Sequence, residues 1–175
     1  MQRTNWFPDP LMTSKKPAIG GNGMKIEYVT ANNRQWVRFT STATGDNYGQ
    51  FMLLGGGMPP AGRYHVHALA YAQKAAATFI VYGNVANSWT QLLNKPVADG
   101  QTLTVDSEIT IPDGCQQLLV RMQLDQSVGL IGMMTQILIE SADTYDKAVG
   151  GGFRASSPGT RCHSAKAIRR AGDVR

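Results

Sequence analysis

GRYHVHALAY, residues 62–71, alternates from one residue to the next. Tyr64, Val66, Ala68 and Ala70 form one row, and His65, His67, Leu69 and Tyr71 form the other. A period of two is that of a β-strand with one packed and one available face, because successive side chains leave a strand on opposite sides. The pattern recurs along the chain. Between residues 116 and 124, Leu118, Val120, Met122 and Leu124 oppose Gln117, Arg121 and Gln123, and near residue 37 Val37 and Phe39 oppose Trp36 and Arg38.

Extended outward, the reading gives segments at residues 24–31, 35–40, 50–54, 64–71, 78–82, 101–111, 117–124 and 130–139, with a shorter piece at 88–93. Turn signals separate them: the pair Asn32-Asn33, then TGDNYG, GGGMPPAG, VADGQ and PDG. The one helical candidate, residues 71–77, is too short to stand alone. The predicted fold is all-β, an antiparallel β-sandwich of jelly-roll type, with an extended N-terminal arm and a C-terminal tail. The expected organisation is an arm at residues 1–23, a sandwich domain at 24–152 and a basic tail at 153–175.

Composition agrees with that class. Charged residues are 17% of the chain and hydrophobic ones 42%, so the surface must rely on Asn, Gln, Ser and Thr. The apolar run at residues 128–139 is broken by Thr135 and Gln136 and reads as a core strand rather than a membrane span. Two cysteines, Cys115 and Cys162, make no disulfide framework. The start, MQRTNWFPDP, has no apolar stretch of the kind a secretory signal carries. The net charge of +5 sits in the tail, where six basic residues face one acidic residue, leaving eleven of each sign in residues 1–152. Nucleic acid is therefore not an expected partner of the sandwich, and the tail is expected to order only against a partner, an acidic subunit or nucleic acid, with the neutral body favouring the subunit.

Four stretches carry a family resemblance. RTNWFPDPLM (residues 3–12) resembles the RTN-apolar-x-PNP lead-in of jelly-roll modules in minor tail proteins of actinobacterial phages. AGRYHVHALAYAQ (61–73) resembles the pGxYxxSxxvrA strand of carbohydrate-binding-module-like sandwiches, and residues 99–124 look like their t…fxxPxGxxxxxlrl stretch. QILIESADTYDKAVGGGF (136–153) is similar to the closing strand, xxlvExxxTxxxyxxGYF. Asp9 and Trp6 depart from the lead-in, and SPGT alone survives of the family's final segment.

The resemblance implies a non-enzymatic virion protein, at the tail rather than the capsid, used for assembly, for adhesion to host-surface glycan, or both. Its implied partners are other virion proteins and copies of itself, a trimer being one arrangement that suits a tail, with no cofactor and no membrane. A capsid decoration protein is one alternative, and a metal-dependent β-barrel enzyme using His65 and His67 is another. Against the enzyme, the two imidazoles are followed by Ala68, Leu69, Ala70 and Tyr71, and no carboxylate is expected in register with them. Glu27, Asp106, Glu108 and Glu140 are expected to be scattered, and Cys115 names no base.

The predicted contact surface is therefore carbohydrate-binding or a subunit interface. It comprises His65, His67 and Tyr71, joined by Trp36, Arg38 or Trp89 where their strands adjoin. The arm holds Trp6 and Phe7, too apolar to stay exposed, and is expected to dock as an assembly arm on its own sandwich or a neighbouring subunit. Its removal is expected to impair assembly more than folding.

Overall fold

Two five-stranded antiparallel sheets enclose one core in the computed structural model, which describes residues 4–152. In chain order the strands are β1 (Ile19–Gly20), β2 (Lys25–Ala31), β3 (Arg34–Thr40), β4 (Tyr48–Leu54), β5 (Gly62–Gln73), β6 (Ala77–Val85), β7 (Ser88–Val97), β8 (Thr102–Ile111), β9 (Cys115–Gln123) and β10 (Ile131–Ser141). Helix α1 (Ala142–Gly152) follows. The first sheet has the order β1-β4-β9-β6-β7 and the second β2-β3-β10-β5-β8. The expected tail at 153–175, with its partner, lies outside the described residues.

The alternating rows pack as period two demands. Val66, Ala68 and Ala70 of β5 and Leu118, Val120 and Met122 of β9 belong to one core, which also holds Phe39, Phe79, Met134 and Ile139. Strand β4 contributes Phe51 and Leu53 to the same core. The β2–β3 hairpin closes through Asn32 and Asn33, both at positive φ (50° and 58°), as the two-residue turn matched to strand twist requires. Ala86 and Asn87 do the same between β6 and β7, at 48° and 63°.

The short candidate at 71–77 is not helical, because β5 continues as strand to Gln73. One expectation is corrected: the closing segment is not strand throughout, because α1 begins at Ala142. Ser141 caps it: its Oγ accepts from Thr144 N (3.4 Å) and pairs with Thr144 Oγ1 (2.7 Å), while Asp143 stands in the first turn.

The arm, expected to dock on its own sandwich or a neighbouring subunit, is built into its own sandwich. Strand β3 pairs β10 only from Ile131 to Met134. At that point β10 bulges between Thr135 and Leu138, with Gln136 at φ 53°. Beyond the bulge the arm takes the place of β3. Ile137 N donates to Pro10 O (3.1 Å) and Trp6 N to Ile139 O (2.9 Å). The Asn5 amide donates to Ile137 O (3.0 Å) and accepts from Ile139 N (2.9 Å), doing with a side chain what a strand does with backbone.

Phe7 and Met12 are buried in the core, and Trp6 is half-buried against it. Asp9, also buried, accepts from Ser14 N (3.1 Å) and Lys16 N (3.3 Å) and fixes the chain's return. An arm that supplies Phe7 and Met12 to the core contributes to folding as well as to any assembly contact it makes.

Candidate functional site

Each sheet presents an outer face, and the predicted contact residues divide between them. On the second sheet, β10 lies between β3 and β5, and Met133 stands opposite both Arg38 and Tyr71. Trp36, Tyr71, Met133, Asn32 and Thr102 border a shallow depression of about 280 Å3. Trp36 is only 4% exposed, with Nε1 donating to Ala31 O (3.2 Å), so it offers no free ring face. Arg38 is tied to Glu27 at 2.6 Å, and Lys25 reaches the same carboxylate at 3.0 Å. The Arg38 hydrogen bond, then that of Lys25, holds the Glu27 carboxyl below the usual glutamate value.

His65 is not free either. Its Nε2 is paired with Asp106, and its ring stacks on Tyr145 of α1, centroids 3.5 Å apart and 7° from parallel. The expectation that no carboxylate stands in register with the histidines is corrected. Asp106 lies opposite His67, and both Glu108 and Glu140 lie opposite His65. Nor are the four carboxylates simply scattered, since Glu108 engages Arg63 at 2.6 Å and Glu140 is buried. Pairing between strands so distant in sequence depends on sheet order, which alternation does not encode. Among the described residues no three His, Cys, Asp or Glu side chains are arranged to hold a metal ion. Cys115 opens β9, with Sγ directed at Gln117 O (3.3 Å).

Trp89 belongs to the other sheet and does not join the histidine row. It is 43% exposed and stands opposite Asn84. With Gln50 and Met52 of β4, Leu119 and Arg121 of β9, and Tyr82 of β6, it lines a groove of about 390 Å3 across the outer face of the first sheet. Register explains the grouping: Gln50 faces Arg121, Met52 faces Leu119, and Leu119 faces Tyr82.

Arg121 is the groove's centre. Its guanidinium carbon lies 4.0 Å from the Tyr48 ring centroid and 5.3 Å from that of Tyr82. Nε donates to Gln50 Oε1 (2.8 Å), and Nη1 makes a long contact of 3.5 Å with Gln123 Oε1. Gln123 is in turn held by Asp46 Oδ1 (2.9 Å) and Asn47 O (3.0 Å). Asn84, opposite Gln117 and Trp89, is buried with its Oδ1 lacking a partner among the described residues. Ring faces beside fixed amide and guanidinium donors suit a ligand with C–H faces and many hydroxyls. Sequence reasoning placed Arg121 and Gln123 on an outward row but missed Tyr48, Gln50 and Tyr82. The one legible signal was the alternation in β4 and β6.

Among known proteins, no family model matches the sequence, and no curated protein does. Solved structures do match. The C-terminal family 22 carbohydrate-binding module of Clostridium thermocellum Xyn10B superposes with a TM-score of 0.63 at 12% identity, over 80% of this chain and 96% of that one. The CBM22-1 xylan-binding domain of Paenibacillus barcinonensis Xyn10C gives 0.56 at 13% identity, over 79% and 92%. TmCBM61, solved with β-1,4-galactotriose, gives 0.51 at 14% identity, over 78% and 97%. The chain therefore has the two-sheet jelly-roll fold of the carbohydrate-binding modules.

Proposed function

We propose that this protein is a non-enzymatic glycan-binding module, and that the groove on the first sheet is where the glycan lies. The observation that carries the reading is Arg121 braced between Tyr48 and Tyr82, with Trp89 exposed in the same groove. Structures of the same fold described as xylan-binding, or bound to β-1,4-galactotriose, support it. The motif resemblance supports a virion setting at the phage tail, where such a module serves host adhesion beside other virion proteins. Self-association, which the same resemblance implies, is read by light scattering.

The test is a glycan array followed by calorimetry on the tightest binder, with Tyr82→Ala and Trp89→Ala. Each variant removes a ring from the groove, and each is expected to weaken binding about tenfold or more. Trp89 is partly solvated already, so its loss should leave the melting temperature near wild type. Binding unaffected by either change, or no glycan bound by the wild type, would overturn the reading.

A further inference from the structure

Resting on that reading, the charge distribution of the groove narrows the ligand. Of its six lining residues only Arg121 is charged. Two other arginines on the sheet faces are neutralised: Arg38 bonds Glu27 and Arg63 bonds Glu108, each at 2.6 Å. Arg121 forms no ion pair with a described residue. Its partners are two amide oxygens and two ring faces, all neutral. Asp46 is separated from it by Gln123, to which that carboxylate is bonded.

A half-buried cation without a counter-charge gives up hydration that neutral partners only partly return. The neutral partners instead fix its orientation. Nε is tethered to Gln50 and the guanidinium carbon sits over the Tyr48 ring, while Nη2 makes no hydrogen bond to any described residue. The Nη end of the guanidinium is thus held in the groove with donors to spare. Hydroxyls can be gripped by Gln and Asn alone; a preoriented guanidinium matches the two oxygens of a carboxylate.

We infer that the groove selects an acidic glycan, one whose uronic acid carboxylate pairs with Arg121. The neutral backbone of such a glycan lies along Tyr82 and Trp89, and its carboxylate supplies the missing counter-charge.

The test uses matched polymers: polygalacturonate, polyglucuronate and alginate, each beside its carboxyl-reduced neutral form, with a poly(glycerol phosphate) as a phosphodiester arm. Affinities are measured by calorimetry for the wild type, Arg121→Gln and Arg121→Lys, each checked for an unchanged melting transition. At least one uronate is expected to bind about tenfold or more tighter than its reduced partner, as a charge-assisted hydrogen bond allows. That acid-to-neutral ratio should fall to near one in Arg121→Gln, be partly kept in Arg121→Lys, and shrink between about 0.02 and 0.5 M salt.

Equal affinity for acidic and reduced forms, or an unchanged ratio in Arg121→Gln, overturns the inference. So does preference for the phosphodiester polymer over every uronate. Neutral binding that depends on Tyr82 and Trp89 without an acid preference removes the inference and leaves the glycan-binding reading intact. Absence of any glycan binding removes both.

Discussion

Replacing Phe7 with Ala tests whether the N-terminal arm is part of the folded core. Phe7 is 1% exposed, and its ring meets Phe51 edge to face, centroids 5.1 Å apart at 90°. Removing a fully buried phenyl ring costs the transfer of its carbons plus the cavity left behind, about 3–5 kcal/mol. The edge-to-face geometry of the two rings is worth about 0.5–1.5 kcal/mol beyond the area they bury. In a domain of this size each kcal/mol moves the melting temperature by about 2–4 °C, so a fall of about 6–20 °C is expected. Urea denaturation is the assay, because a lower midpoint at constant m reports lost stability rather than a changed unfolded state. A cycle with Phe51→Ala should show coupling, since the two rings touch. A loss below about 1 kcal/mol, with no coupling to Phe51, would refute the placement of the arm in the core.

Packing and charge supply two more tests. A Cβ on Gly49 would fall inside the Phe39 ring, so Gly49→Ala must shift a buried aromatic; the expected cost is about 1–3 kcal/mol or more by thermal melt, and a neutral result would contradict the inter-sheet spacing at β4. Glu27 should titrate below 4.5 by carboxyl NMR and move back toward that value in Arg38→Ala. Because its folded-state value is depressed, this pair's stabilisation is present above the ordinary glutamate value and is lost as pH falls through the depressed one. An Arg38→Ala protein with an unmoved Glu27 midpoint would show that the bridge does not hold in solution.

The sandwich was legible in the sequence because its physical cause is local. Alternation at 62–71 and 116–124 reports a face packed against something, whatever that something is, and the Asn32-Asn33 pair announces its own turn. The β6–β7 hairpin was read less fully because Ala86 carries no turn signature, although it adopts the same positive φ as the asparagines. Helix α1 was missed for a related reason. Its cap, Ser141 to Thr144, is a four-residue signal placed at the end of a strand whose pattern invites continuation.

The site was legible only in part. Arg121 could be assigned to an outward row from β9 alone, but its neighbours come from β4 and β6, which only the sheet order makes adjacent. The histidine row was a correct reading of one strand's face, made without the strands and helix beside it. Asn5, which completes the pairing of β10 through its amide, carries no chemistry that its sequence position alone could announce.

The difference between the two faces follows from how the N-terminal arm and α1 pack. The arm joins the second sheet along β10, and α1 packs against β5 and β10 on that same sheet. Its stack on His65 removes one predicted contact residue from solvent, and burial of Trp36 removes another. Two of the arginines there, Arg38 and Arg63, are each neutralised by a glutamate. On the first sheet none of these covers falls across the groove. Its tryptophan is exposed, and its guanidinium is braced by the amides of Gln50 and Gln123 but forms no ion pair with a described residue. A face that is aromatic, amide-rich and carries one oriented cation is poorly suited to closing a core and well suited to holding a hydroxylated, acid-bearing chain. Under the inference drawn above, the stabilisation that a carboxylate gives Arg38 and Arg63 within the protein would come, for Arg121, from an acidic ligand.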